Sequence, residues 1–405
     1  MNRRAFLRGT LAGLAAMQLP MAYALPNGTN RKLVVFFNNG GWDPCYVFDP
    51  HLGESGVDSD PESFLDEQAG LRFISANSRP AVTDYFRSYA GISAVLNGVE
   101  VPSISHTTCT RLALTGKRGI EAPDLPTLLA AQNAEDTLLP HLVLSGPRFP
   151  GALGGLTVPL SPVLNYTLNA TQPTDYPHNS TTSDAIGEFL RAEHERYSDR
   201  PTVSALAAQH EKRASFDGQT PFSLSELSTT EEQLDNLIAA LQEGLCSSAT
   251  LQCKLPQLVD WDSHSENHLN QSQAFDASFF QLKALIDRLH QTTDLSGQPL
   301  IESTTVMVLS EMGRTPKLNI TNGKDHWPYT SMMLVGAGIR GGEVWGETDS
   351  GLVGLPVDPI TGEVSPSGER LQTAAIHAGF LQSLGIDTSE SFPGVTPFEA
   401  PFKSS

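Results

Sequence analysis

The chain has little basic charge for its length. Lys and Arg total 26 against 45 Asp and Glu in 405 residues, a formal charge of −19. Such a field repels nucleic-acid phosphates and anionic lipid, so no nucleic-acid partner is expected. Only four cysteines are present, too few for a disulfide scaffold, and none stands in the paired CxxC spacing of a structural zinc site. Bilayer-spanning helices need about 20 consecutive apolar residues, and no run beyond the first two dozen residues is that long and apolar. What is present, 39% hydrophobic and 18% charged residues, is a globular composition. The 34 Gly and 28 Pro point to many loops. The length allows two or three ordinary domains or one large α/β domain.

Arg3-Arg4 precedes an apolar stretch, Leu11 to Ala24, that ends in Ala22-Tyr23-Ala24. The stretch is short for a membrane span and closes on an A-x-A cleavage pattern. With the paired arginines it resembles a twin-arginine export signal, which carries folded proteins. A membrane anchor or a surface helix is the plainer alternative. Residues 1–24 are therefore expected to be a cleaved address, leaving no stable membrane span in a periplasmic or extracellular protein. The twin-arginine translocase is the expected partner during export. In an oxidising compartment Cys246 and Cys253, separated by six residues in a polar segment, are expected to close a small loop as a disulfide, the plainer alternative for all four cysteines being a free, buried thiol.

Lys32 to Phe37 reads as a buried strand running into Asn38-Asn39-Gly40-Gly41-Trp42-Asp43, and Thr304 to Ser310 as another running into Glu311-Met312-Gly313-Arg314. Ser331 to Val335 and His141 to Leu144 are further strands. Helical patterns cover Leu125 to Ala134, Asp184 to Arg196, Leu224 to Leu245, Ser272 to His290 and Leu371 to Leu384. This alternation predicts an α/β fold with a largely parallel sheet covered on both faces. Residues 25–400 are read as one domain, with 150–255 as a helical insertion or cap. Ligands in such sheets bind at the carboxyl ends of the strands, which would bring Asp43 and Glu311 to one face.

Four clusters carry chemistry-bearing side chains. Gly40-Gly41-Trp42-Asp43 places a carboxylate after two glycines, or is an ordinary turn. Asp260-Trp261-Asp262-Ser263-His264-Ser265-Glu266-Asn267-His268 mixes carboxylates and imidazoles suited to zinc or manganese, or is a solvated loop. Glu311 to Pro316 followed by Gly323-Lys324-Asp325-His326-Trp327-Pro328 is charged enough to hold an oxyanion through Arg314 and Lys324, or to fix its own shape by ion pairs. Ser103 to Arg111 brings hydroxyls to a helix start, as caps or as an activated nucleophile.

The order of these motifs, with Ser105-His106 ahead of Arg111 and Leu114-Thr115-Gly116, resembles the exported bacterial domain-of-unknown-function family 1501 across nearly the whole mature chain. That family is related to the alkaline phosphatase and sulfatase superfamily, whose members act on phosphate and sulfate esters at one or two metal ions. The resemblance implies an alkaline-phosphatase-like three-layer α/β sandwich. It places Asp43 at the superfamily's first metal aspartate, and Asp262 with His264 at a metal pair, with Asp260 as an alternative to Asp262. Asp325 and His326 match the late histidine segment that completes that site. Glu311 stands where relatives carry Asp-His, but Met312 is a poor ligand for a hard ion, so one metal site is well supplied and the second is weakened. Counting back from Arg111 puts Thr107 at the nucleophile position, and counting back from Gly116 puts His106 there; Thr107 is preferred. The Cys or Ser followed by Pro and Ser that marks a sulfatase is absent. The expected function is thus a metal-dependent hydrolase of a small anionic, phosphate-type ester, less favourably a sulfate ester. A non-catalytic binding or assembly protein on the same scaffold is the rival.

The mature chain is expected to begin at Leu25, and lysine at both Arg3 and Arg4 to stop export. Intact mass of the exported protein checks the first claim and cell fractionation the second; a mature form keeping residues 1–24 would refute the address.

Overall fold

Val34 and Phe36 point to one side of the first strand and Leu33, Val35 and Phe37 to the other, and both sets are fully buried. A strand buried on both faces needs a layer on each side, which sets the architecture. The computed structural model describes residues 30–134, 136–160, 192 and 229–403. In chain order the elements are β1 (Lys32–Asn38), β2 (Phe64–Gln68), β3 (Leu71–Ser75), α1 (Pro80–Tyr89), β4 (Ser93–Glu100), α2 (His106–Thr115), α3 (Leu125–Gln132), β5 (His141–Val143), β6 (Thr157–Pro159), α4 (Thr230–Gln242), β7 (Ser248–Gln252), α5 (Asn267–Gln291), β8 (Thr304–Ser310), β9 (Gly313–Arg314), β10 (His326–Trp327), β11 (Tyr329–Gly336), β12 (Glu343–Trp345), β13 (Pro356–Val357), β14 (Glu369–Arg370) and α6 (Thr373–Ser383).

Eight strands form one sheet in the order β12-β4-β11-β8-β1-β7-β5-β6. Only β11 runs against its neighbours β4 and β8; the other pairings are parallel. On one face Val34, Phe36, Val306 and Val308 meet Phe86 of α1, Leu237 of α4 and Phe275, Phe279 and Leu282 of α5. On the other, Leu33, Val35, Phe37, Met307 and Leu309 meet Leu114 of α2, Leu129 of α3 and Phe380 of α6. This is the expected three-layer α/β sandwich. Among the described residues no helix is long and apolar enough to cross a membrane.

Several elements differ from the sequence expectation. Strand β4 contains Asn97-Gly98, a turn signal that hides it. There the β4–β11 register shifts between Thr330 and Met332, and Gly98 adopts φ +68. The bulge needs glycine because a Cβ would lie 2.8 Å from the Glu347 carbonyl oxygen. Within 150–255, β6, α4 and β7 belong to the main sheet and its covering layer. The helix expected over Asp184 to Arg196 lies, Ala192 apart, outside the described residues. The Cys246–Cys253 disulfide is corrected: all four cysteines are free and buried. The two flank β7, and at about 3.3 Å per residue an extended strand holds them roughly 20 Å apart, far beyond disulfide reach.

A buried imidazole locks the chain that follows β1 to the loop after β12. His51 Nδ1 lies 3.0 Å from Glu54 Oε1 and its Nε2 2.8 Å from Thr348 Oγ1, which donates to Asp49 Oδ2 at 2.5 Å. Burial opposes a charge here, but Asp49 and Glu54 outweigh it and raise the His51 pKa to about 9. A folded-state pKa above the unfolded value near 6.5 stabilises fully below pH 6.5 and loses that contribution as pH rises through about 9. The stability difference between wild type and His51→Asn should therefore shrink by up to about 3 kcal/mol over this window, as read by urea unfolding at several pH values.

Candidate active site

Strands β1, β4, β7 and β8 all end at the same edge of the sheet, and the segments that leave them converge. The turn after β1 passes through Gly40 at φ +128 and Gly41 at φ +84. A Cβ on Gly41 would sit 2.8 Å from Met312 Cγ and 3.2 Å from Arg314 Nη2, so glycine lets this backbone lie on the segment after β8. Ser310 Oγ accepts from Gly41 N at 3.1 Å and Trp42 N at 3.2 Å, closing the contact.

The floor of the site is fully buried and charged. Glu311 accepts from Gly40 N with both oxygens, at 2.9 and 3.0 Å, and from Ser310 Oγ at 3.0 Å. Asp43 Oδ2 lies 2.7 Å from Lys324 Nζ and accepts from Asn267 Nδ2 at 3.0 Å, while its Oδ1 accepts from Cys45 N at 3.2 Å. Arg314 donates from Nε to Gly41 O at 2.8 Å, from Nη1 to Lys324 O at 3.1 Å, and from Nη2 to Asp262 Oδ1 at 2.6 Å and to Gly40 O. Burial opposes ionisation of Asp262, but Arg314 outweighs it and holds the carboxyl down to about 2.

Above this floor three imidazoles turn toward Asp262. His326 Nδ1 donates to the Ile104 carbonyl at 2.7 Å, which leaves Nε2 as an acceptor, 3.1 Å from Asp262 Oδ1. His264 Nδ1 lies 3.0 Å from Asp325 Oδ1, and its Nε2 is 2.9 Å from His326 Nε2 and 3.2 Å from Asp262 Oδ1. His106 Nδ1 lies 2.7 Å from Glu311 Oε1, a contact that raises its pKa, and its buried Nε2 has no hydrogen-bond partner, 3.3 Å from Asp262 Oδ2. Each Nδ1 meets an outer acceptor, and with a single proton placed there each ring turns the lone pair of its Nε2 toward one carboxylate. In that form, acceptors this close to one another repel unless a cation lies between them. Ligands about 2.0–2.1 Å from a tetrahedral zinc ion stand roughly 3.3 Å apart, and the distances here match. Among the described residues, His106, Asp262 and His326 each offer a ligand atom, all within 4.8 Å of one another. The donor set therefore fits a divalent ion of borderline hardness.

The structure brings together Asp262, His264 and His326 as the sequence suggested, and adds His106. Glu311 and Asp325 stand behind His106 and His264, orienting them, and Asp43 faces Lys324. Arg314 and Lys324, expected to hold an oxyanion, are fully buried and engaged by protein groups. Thr107 is exposed and makes no side-chain hydrogen bond, while its neighbour His106 reaches the cluster. Asp260 Oδ1 accepts from Asp262 N at 3.0 Å, so it shapes the loop. Met312 packs with Val101, Cys109 and Leu112. Gln271 was missed: its Oε1 accepts from Asp43 N at 2.8 Å, and its Nε2 donates to Trp261 O and Ser263 Oγ, each at 2.9 Å. Only its place on the buried face of α5, one turn past Asn267, could have flagged it.

The class defined so far is an α/β sandwich carrying a histidine and aspartate cluster at the carboxyl edge of its sheet. The chain belongs to the family described as protein of unknown function (DUF1501), whose model matches residues 30–399. No curated protein matches it. Among solved structures it is similar to a protein in the alkaline phosphatase superfamily from Vibrio parahaemolyticus, at 9% identity over 94% of this chain and 76% of that one, with a TM-score of 0.39. It is also similar to the C-terminal periplasmic domain of EcEptC from Escherichia coli, at 10% identity over 94% and 92% of the two chains and a TM-score of 0.43. A phosphonate monoester hydrolase from Silicibacter pomeroyi matches at 10% identity over 94% and 78%, with a TM-score of 0.42.

Gly41→Ala should cost about 2 kcal/mol or more, because the new Cβ meets Met312 Cγ at 2.8 Å and φ +84 strains any L side chain. Urea unfolding of the variant measures the loss; an unchanged midpoint would show that the turn relaxes freely.

Proposed function

We propose that the protein is an exported metal-dependent hydrolase of phosphate-type esters, with sulfate esters less favoured. The observation that carries this reading is the convergence of the Nε2 atoms of His106, His264 and His326 on the Asp262 carboxylate. These four residues would hold a zinc or manganese ion, which supplies Lewis-acid polarisation of the ester and a lowered pKa for attacking water. Arg314 keeps Asp262 ionised and fixed in place. Glu311, Asp325 and the Ile104 carbonyl keep a proton on each Nδ1, so the imidazoles present acceptors at Nε2. Helix α2 begins at His106, which brings its positive end to the cluster and favours an anionic ester there. The attacking oxygen is assigned to water, because Thr107 bonds to none of these groups.

The burial of Arg314 and Lys324 favours a second reading, a protein that binds metal without turnover. Elemental analysis together with hydrolysis of bis(p-nitrophenyl) phosphate, p-nitrophenyl phosphate and p-nitrophenyl sulfate separates the two. We expect stoichiometric metal and hydrolysis of a phosphate ester. Asp262→Ala should lose the metal and at least about 100-fold in kcat/KM, and Glu311→Gln should weaken metal binding about 10- to 100-fold. Thr107→Ala should keep turnover; its loss with metal retained would restore Thr107 as the nucleophile. Metal without hydrolysis supports the second reading, and absence of metal removes both.

A further inference from the structure

The loop after β7 carries Asp262 and His264, and its side chains at Asp260, His264, Ser265 and Glu266 are exposed, so its own packing does little to fix where the Asp262 carboxylate stands. Helix α5 follows that loop and is anchored in the core by Phe275, Phe279 and Leu282. Asn267 and Gln271, four residues apart, share one face of its first turns and are fully buried. Gln271 Nε2 donates to Trp261 O and to Ser263 Oγ, each at 2.9 Å, so one amide grips both neighbours of Asp262. Its Oε1 accepts from Asp43 N at 2.8 Å, in the segment after β1. Ser263 Oγ in turn donates to Asn267 Oδ1 at 2.6 Å, and Asn267 Nδ2 donates to Asp43 Oδ2 at 3.0 Å.

The direction of these bonds is fixed. The backbone N–H of Asp43 demands an oxygen from Gln271, and the Asp43 carboxylate demands an N–H from Asn267, so neither amide can flip without setting like groups face to face. A buried network whose members are all satisfied specifies one arrangement, and a lost member leaves its partners unpaired out of water. On the opposite side the same segment lies against Gly40, where an added Cβ would stand 3.1 Å from Asp262 N, and Arg314 holds Asp262 Oδ1. Asp262 is thereby set from both sides. We propose that Gln271, acting with Ser263 and Asn267, is a positioning residue that sets where the Asp262 carboxylate stands relative to the Nε2 atoms of His106 and His326, and through it the affinity and coordination geometry of the ion. The inference rests on the metal reading above and goes beyond it by assigning the shape of the site to an amide bonded to none of the ligand side chains.

The test is titration of the metal-free mature chain with Co²⁺, a stand-in for zinc whose visible absorption reports coordination geometry, with urea unfolding of the same metal-free variants in parallel. Gln271→Met should weaken Co²⁺ binding about 10- to 100-fold and change the visible spectrum, and Ser263→Ala should act in the same direction. Because the two side chains share one network, the double variant should fall short of the product of the single effects. Gln281→Met is the control. That amide, on the same helix, bonds Lys254 and Ala277, and its loss should lower the urea midpoint while leaving Co²⁺ affinity and spectrum as in wild type. Wild-type affinity and spectrum in a folded Gln271→Met overturn the proposal, as does equal weakening by Gln281→Met, which would reduce the effect to general stability. Absence of Co²⁺ binding in wild type overturns the metal reading and this inference with it, so the two failures are distinct. Should Gln271→Met fail to fold, Ser263→Ala, which removes only the hydroxyl link, decides by the same readouts.

Discussion

The buried guanidinium of Arg314 is the contact on which the site depends. It reaches the Gly40 and Gly41 carbonyls from the segment after β1, the Lys324 carbonyl, and the Asp262 carboxylate from the segment after β7. A planar fork with five donors suits this task, and an ammonium on a flexible stem does not. The contact exists because β1 and β8 lie side by side in parallel register, with Asn38 opposite Ser310. Segments far apart in the chain are thereby brought to one buried centre, where glycines at 40 and 41 leave room for Met312 and Arg314.

Around that contact the polar groups are arranged in two tiers. Glu311, Asp325 and the Ile104 carbonyl engage the outer nitrogens of three histidines, and the inner nitrogens face Asp262. Carboxylates that a sequence reader takes for ligands thus act one step back, as orienting groups. The distinction has energetic weight, since a buried carboxylate must be matched by hydrogen bonds or positive charge. Glu311 meets it with backbone N–H, a hydroxyl and an imidazole, and Asp43 with Lys324 and Asn267. The helix-start position that invites a nucleophile is taken up by His106, whose side chain turns inward while Thr107 stays at the surface.

The fold was legible where hydrophobic patterning was strong. Strands β1 and β8, two runs of apolar and β-branched residues, lie where expected, as does helix α5 with Phe275, Phe279, Leu282 and Ile286 on one face. Strand β4 escaped notice because Asn97-Gly98 reads as a turn until β11 lies beside it to pair across the bulge. The cysteines misled because residue spacing says nothing about an intervening extended strand.

Composition and periodicity by themselves determined the layered α/β class, the two strands that end in carboxylates and the clusters worth attention, because burial of apolar faces is a local, periodic demand. Motif order determined the family. Which carboxylate faces an imidazole, which faces an ammonium, and that His106 rather than Thr107 turns inward were decided only by tertiary structure. Those choices depend on distances of a few ångströms between residues more than two hundred positions apart, and chain connectivity does not encode such distances until the sheet has set its register.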